Sequence, residues 1–312
     1  MGVPIRLRPP AIVVHGGAGA WQEGDLEAAL REVVRAAEAG IEQARKGSSL
    51  DMVVEAVAYM EDSGLFNAGV GSVLDFSGKV TMDAAVMRGP DLRAGAVAGV
   101  TYPRNPVRLA RAVFEQTPHV LIVGPWADRL ASSLGMQAHP GPSPRALERW
   151  RRLRESQGGQ DPLYRRWFEA ASRLGYDTVG AVAVDSEGHT AAAVSTGGVA
   201  LKLPGRVGDS PIVGAGLYAD DLAAFSATGV GEYIIAVGLS LRAAIAYRAG
   251  RDLAAAVDGA LSVLTLLFGE GTAGMIGIGW DGTAYGSFNT KAMPWAVADS
   301  SGLKRAIGGE TK

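Results

Sequence analysis

Cysteine is absent from all 312 residues, which excludes disulfides, thiolate metal ligands and a cysteine nucleophile. That absence fits a reducing compartment, and a cytoplasmic location is the expectation. Histidine is scarce. The four, His15, His119, His139 and His189, lack ligand spacing such as H-E-x-x-H, so no zinc site is expected and each reads as a turn or surface histidine. No apolar run approaches the roughly 20 residues that span a bilayer. The start, MGVPIRLRPPAIVV, carries basic residues but is interrupted by prolines and does not read as a signal peptide. An excess of either charge is also missing. With 30 Lys and Arg against 32 Asp and Glu, the net charge of −2 gives no electrostatic reason to expect nucleic acid or an anionic membrane as partner.

What is present is a folded composition, 47% hydrophobic and 20% charged. The length suits a single layered α/β unit. Glycine is abundant, at 43 residues without a triplet period, which points to tight turns and close backbone approaches. AIVV (11–14) reads as a buried strand. DLEAALREVVRAAEAGIEQARKG reads as an amphipathic helix with Asp25 as cap and Gly47 as terminator, and a second helix starts near Ser48 or Ser49. Phe76-Ser77-Gly78-Lys79 reads as a hairpin turn, and Pro106 as the first turn of a helix reaching about Gln116. HVLIVG is a further strand, followed by a short helix after Pro125. Residues from about 140 to 177 are basic, polar and broken by Pro and Gly, and read as a linker. TVGAVAVD and TAAAVST then form a strand pair, helices follow at about 232–249 and 252–268, and GMIGIGWDGTAYGSFN closes as a hairpin at Asp281-Gly282. Repeated hairpins predict antiparallel sheets covered by helices, not a doubly wound parallel sheet.

The candidate chemistry narrows quickly. HGGAGA lacks the G-x-x-x-x-G-K-[ST] spacing of a phosphate loop, and no G-x-S-x-G elbow is present. STGGVALKLPGRVGDSP instead gathers Thr196, Arg206 and Asp209 in one glycine-rich run, and SATGVGE places Thr228 and Gly229 just before a helix. An arginine and an aspartate side by side can grip a free amino acid, by the α-carboxylate and the α-ammonium. They can equally be an ordinary surface pair. A hydroxyl and a backbone N–H near a helix start can stabilise an oxyanion, and Thr228 can equally be a plain helix cap.

HGGAGAW, NAGVGSV, YDTVGAVAVD, STGG, LPGRVGDSP, GAGLYA, ATGVGE and MPWA together resemble the plant-type L-asparaginase / isoaspartyl peptidase family, over nearly the whole chain. The resemblance implies a four-layer αββα N-terminal-nucleophile hydrolase of the α+β type. It implies cleavage between Asp177 and Thr178 into an α subunit (1–177) and a β subunit (178–312), the latter starting with a threonine whose free amine activates its own hydroxyl. By the same resemblance Thr196 orients the nucleophile, Arg206 and Asp209 form the clamp, and Thr228 and Gly229 form the oxyanion hole. Substrate contacts would run over Arg206, Val207, Gly208 and Asp209 and over Thr228, Gly229, Val230 and Gly231, with Asn67 supporting the site. L-Asparagine and β-aspartyl dipeptides are the implied substrates, without an organic cofactor. Carbonyls before Asn67 would bind a structural sodium ion, and two cleaved units would form a homodimer. A glycosylasparaginase shares the nucleophile and clamp and stays open as an alternative, as does a non-catalytic binding protein of this fold. Val199, Ala200 and Leu201 stand where such proteins often carry Thr or Asn.

Overall fold

The computed structural model describes residues 3–45, 47–156 and 178–307. Its strands are β1 (Ile5–Arg6), β2 (Ala11–His15), β3 (Met82–Arg88), β4 (Ala94–Val100), β5 (Leu121–Val123), β6 (Val179–Val184), β7 (Thr190–Thr196), β8 (Leu217–Ala219), β9 (Ala223–Gly229), β10 (Ala273–Gly279), β11 (Thr283–Phe288), β12 (Trp295–Asp299) and β13 (Lys304–Ala306). They form an eight-stranded sheet in the order β13-β12-β2-β6-β7-β3-β4-β5 and a five-stranded sheet in the order β1-β11-β10-β9-β8. Every pair is antiparallel except β4–β5.

Three buried clusters show the layering. On one face of the large sheet, Val179, Ala181 and Ala183 of β6 pack with Val33 of α1 (Glu23–Gln43), Val53 and Val57 of α2 (Ser49–Ser63) and Val107 of α3 (Pro106–Gln116). On its other face Val182 and Val184 meet Ala224, Ile276 and Ile278 of the small sheet. Beyond the small sheet, Phe225 and Met275 pack under Ala243 of α7 (Leu239–Gly250) and Val257 of α8 (Leu253–Phe268). The order is helix, sheet, sheet, helix, the αββα sandwich. Its register is strongly held. Each buried valine is worth about 1.5–3 kcal/mol, and a one-residue slip of β6 would turn Val182 and Val184 to the wrong face.

Local rules account for many boundaries. Asp51 accepts from the Ser48 backbone N–H at 2.7 Å at the start of α2. Asp252 caps α8, accepting from the Ala255 N–H at 3.0 Å. The expected α3 and the hairpins β6–β7 and β10–β11 are present.

Other expectations need correcting. Asp25 lies within the first turn of α1, whose N-cap is Gln22. The helix expected over 232–249 is two, α6 (Gly231–Val237) and α7, because Gly238 turns left-handed at φ 61°. The 76–79 turn closes a single bridge, Leu74 to Val80, since β3 pairs with β4 and β7 instead. The expected linker begins with a helix, α5 (Pro144–Ser156), docked by the Trp150 Nε1–H on the Asp75 carbonyl at 2.8 Å. Its remainder, 157–177, lies outside the described residues. Between β5 and α5 lies α4 (Gly124–Ser133). Among the described residues no helix is long and apolar enough to cross a membrane.

Candidate active site

The β6–β7 hairpin builds the first half of the site. Its register pairs Val179 with Ser195, so Thr178, one residue earlier, stands opposite Thr196. Thr178 Oγ1 donates to Thr196 Oγ1 at 3.1 Å, and Thr196 Oγ1 also accepts from the Gly198 N–H at 2.9 Å. With one lone pair already taken by that N–H, the Thr196 hydroxyl can turn its own proton toward Thr178 when Thr178 gives up its hydrogen. Both threonines are buried. Asp177 lies outside the described residues.

The period of two along β6 decides which way Thr178 faces. Even-numbered Val182 and Val184 point between the sheets, and Thr178 shares their parity. Ala224 on β9 points into the same layer from the small sheet, so Thr228, four residues on, faces the same gap. Thr228 Oγ1 accepts from the Ala18 N–H at 3.2 Å, which leaves its own proton to donate. Thr228 is therefore a strand residue and not a helix cap; Val230 caps α6. Gly229 has φ 142°, and a Cβ there would stand 2.2 Å from the Thr272 carbonyl oxygen, so only glycine fits. HGGAGA supplies the Ala18 contact.

Arg206 and Asp209, the expected clamp, lie in the loop after β7. Thr178, Thr196, Gly198, Val199, Arg206, Asp209 and Gly229 line one small pocket. The Asp209 carboxyl is buried, its Oδ2 has no hydrogen-bond partner among the described residues, and burial pushes its pKa up to about 7 against the pull of Arg206. An orphaned buried carboxylate oxygen facing a pocket is suited to an ammonium ligand. Arg206 donates from Nε and Nη2 to the two oxygens of Glu232, each at 2.9 Å. Burial works to lower the guanidinium pKa, but Glu232, Asp209 and Asp83 more than offset it. One edge of the guanidinium is thus occupied, and Nη1 on the other edge remains for a carboxylate.

Glycines make room for these groups. A Cβ on Gly208 would stand 2.8 Å from Arg206 Nη1, and one on Gly231 would stand 2.8 Å from Arg206 Nη2 and 2.9 Å from Asp209 Oδ1. Val207 is half-buried and Val230 buried beside them. Asn67 sits one step away: its Nδ2 donates to the Gly198 carbonyl at 2.6 Å, its Oδ1 accepts from Val73 N–H at 2.9 Å, and its own carbonyl accepts from Gly197 N–H at 2.8 Å. It holds the loop that shapes the pocket and does not line the pocket itself.

Sequence reasoning missed four residues. Glu232 was visible within ATGVGE, where an acid in the first turn of a helix looks like a dipole partner. Buried Asp83 accepts from Gly99 N–H at 2.8 Å and from Gly208 N–H at 3.3 Å, tying β3 and β4 to the clamp loop. Lys202 is wholly buried next to Gly198. His15, expected in a turn or on the surface, is instead a buried strand residue bonded through Nε2 to Ser226 Oγ at 2.8 Å, and burial lowers its pKa to about 3. Gly180 allows that inter-sheet contact, since a Cβ there would stand 2.4 Å from His15 Nε2. A larger cavity of about 700 Å³ beside Asp258, Glu270 and Lys291 brings no comparable set of groups together. Among the described residues no group of three or more His, Asp or Glu is placed to hold a metal.

A four-layer sandwich with a threonine at the head of a central strand, facing between the sheets, defines the sandwich fold of the N-terminal-nucleophile hydrolases. The asparaginase family model matches residues 8–307, and the chain belongs to that family. It is 47% identical over 285 residues to the plant-type L-asparaginase of Pyrobaculum calidifontis, covering 90% of this chain and 94% of that one. It is 42% identical over 305 residues to the plant-type L-asparaginase of Pyrococcus furiosus, covering 96% and 99%. To the isoaspartyl peptidase/L-asparaginase of Homo sapiens it is 39% identical over 304 residues, covering 96% of each chain.

Proposed function

We propose that the chain cleaves itself between Asp177 and Thr178, and that the freed Thr178 is the nucleophile of a hydrolase acting on β-aspartyl amide bonds. Its substrates are L-asparagine and β-aspartyl dipeptides. The observation that carries this reading is Thr178 Oγ1 lying 3.1 Å from Thr196 Oγ1, in a pocket shared with Arg206 and Asp209. The names of the relatives support the substrate class.

The α-amine of a terminal Thr178 has a reference pKa of about 7.7–8.0 and takes the proton of its own hydroxyl. Arg206 holds the substrate's α-carboxylate and Asp209 its α-ammonium, which presents the side-chain carbonyl to Oγ1. Attack forms the C–O bond and moves the carbonyl pair onto oxygen, toward the Thr228 hydroxyl and the Gly229 N–H. Collapse breaks the C–N bond, and the Thr178 ammonium gives its proton to the departing nitrogen. Water then attacks the aspartyl ester, losing its proton to the same amine, and aspartate leaves as the Thr178 hydroxyl is restored. No organic cofactor enters any step. The resemblance implies a sodium ion held by backbone carbonyls of the loop before Asn67, where it would brace the loop carrying that residue. Exposed Ile245, Leu266 and Leu267 on the outer helices offer apolar surface for a homodimer.

Purified protein is expected to yield pieces of 177 and 135 residues, the smaller beginning TVGAV, and to hydrolyse L-asparagine and β-aspartyl-leucine but not a glycosylated asparagine. Thr178→Ala should stay one chain and be inactive, while Thr178→Ser should mature and turn over. An active Thr178→Ala protein would remove the nucleophile and the mechanism with it.

A further inference from the structure

The turn between Thr196 and the clamp is held in a costly conformation. Leu201 is left-handed at φ 61° and buried, an arrangement that a branched aliphatic residue adopts only when its surroundings force it. Here they do: Leu201 N–H donates to the Leu74 carbonyl at 2.9 Å, Phe76 N–H to the Lys202 carbonyl at 2.8 Å, and Lys202 N–H to the Val199 carbonyl at 3.1 Å. This turn delivers the Lys202 side chain to a wholly buried position behind Gly198. A Cβ on Gly198 would stand 2.8 Å from Lys202 Nζ and 3.3 Å from Arg206 Nη1, so both cations border one point on the pocket wall.

The ammonium is under-bonded. Among the described residues its hydrogen-bond partner is the Thr81 carbonyl at 2.8 Å, one acceptor for three donors. Burial lowers its pKa, Asp83 opposes this, Arg206 adds to it and Asp75 opposes it again. Burying an ammonium is expensive even with Asp83 and Asp75 near it, so filling space alone does not account for a lysine here. The local charge balance gives the ammonium a purpose. Asp83 and Glu232, joined by Asp209 once it ionises near pH 7, set up to three carboxylates against one guanidinium, which would repel a fourth.

We propose that Lys202 is a positioning residue of the carboxylate clamp: its ammonium stands behind Gly198 and Arg206 and adds the second positive charge to the end of the pocket that receives the α-carboxylate. The inference rests on reading Arg206 and Asp209 as that clamp. Lys202 does not touch the reacting atoms. It acts through the field at Arg206 and through the seat of Gly198, whose carbonyl Asn67 holds from the other side.

The test uses L-aspartate as probe, with its dissociation constant measured by calorimetry for the wild type, Lys202→Met and Lys202→Gln. Glutamine keeps a donor for the Thr81 carbonyl and loses the charge. Both variants should bind L-aspartate about 10- to 100-fold more weakly, the effect of removing a nearby unit charge at intermediate dielectric. KM for L-asparagine should rise in parallel, with kcat changed less than about 3-fold. Thermal unfolding of Lys202→Met should fall, because Asp83 and the Thr81 carbonyl lose a buried partner, so the comparison of L-aspartate with an α-carboxamide and not the melting temperature reports the clamp. L-Asparagine α-carboxamide, which lacks the carboxylate, should show a penalty under about 3-fold. Unchanged L-aspartate affinity, an equal penalty on the carboxamide, or failure of both variants to fold would overturn the proposal and leave Lys202 a structural residue. A wild type that binds L-aspartate but turns over neither L-asparagine nor β-aspartyl-leucine would instead overturn the proposed function, while the affinity ratio would still decide the role of Lys202.

Discussion

Arg206 meets Glu232 edge to edge, with Nε on Oε1 and Nη2 on Oε2, each at 2.9 Å. The pair ties the clamp loop to the first turn of α6, the helix that follows Thr228 and Gly229. Such a planar contact fixes the guanidinium in rotation as well as position, so its free edge is aimed before a ligand arrives.

Glu232→Gln is expected to spoil that aim. An amide offers one acceptor oxygen and turns an N–H₂ group against an arginine donor. Losing one charge-assisted bond costs on the order of 1.5–3 kcal/mol, so KM for L-asparagine should rise about 10-fold or more with a smaller change in kcat. Steady-state kinetics decide it. A variant with wild-type KM would mean that Arg206 needs no help to stay in place.

Thr228→Ala removes one of the two proposed oxyanion donors and leaves the proposed clamp residues Arg206 and Asp209 in place. The expected loss is about 10²–10³ in kcat, with little change in KM, because the charge on the carbonyl oxygen develops only in the transition state. The same substitution frees Ala18 N–H, which now donates to Thr228 Oγ1 at 3.2 Å. Thr228→Ser restores both bonds and should restore most of the rate. A large rise in KM for Thr228→Ala would move this residue from the oxyanion to the clamp.

Asp209 sets a pH dependence. Burial raises its pKa to about 7, so in the empty pocket it is largely protonated below that pH and meets an α-ammonium without charge. Affinity for L-aspartate should therefore strengthen by up to about tenfold per pH unit as pH rises toward 7 and level off above it. Calorimetric titrations across that range should show this slope in the wild type and lose it in Asp209→Asn. A slope that survives in Asp209→Asn would place the titrating group elsewhere.

The half of the site built on the hairpin was readable because two local rules agree there. Alternation marks β6 and β7, the 185–189 turn sets their register, and that register alone places Thr178 across from Thr196. The other half was harder to read. AAFSATG is a run of small residues with no strong period, yet it is the interior strand β9 that carries Thr228. The helix α5 read as linker because its Arg-rich face and flanking Pro and Gly resemble an unfolded segment until Trp150 finds the Asp75 carbonyl. Lys202, Asp83 and Glu232 escaped for a more general reason. Charged residues are presumed to be outside, and only the folded chain shows which of them have been drawn in and paired.

Glu61 offers a test of stability separate from the site. Burial raises its pKa to about 8, Oε1 accepts from Val107 N–H at 3.0 Å at the start of α3, and Oε2 has no partner among the described residues. Unfolded, the carboxyl titrates near its ordinary value of 4.5. Between about 4.5 and 8 the folded chain thus binds more protons than the unfolded one, so the stability contributed by Glu61 is complete below the lower pH and is lost as pH rises through the upper. Glu61→Gln keeps an acceptor for Val107 and cannot ionise. Its melting temperature should be close to wild type near pH 5, exceed it near pH 9, and vary less with pH between them. Parallel curves for the two proteins would mean that Glu61 stays ionised in the folded chain, with a partner for its second oxygen.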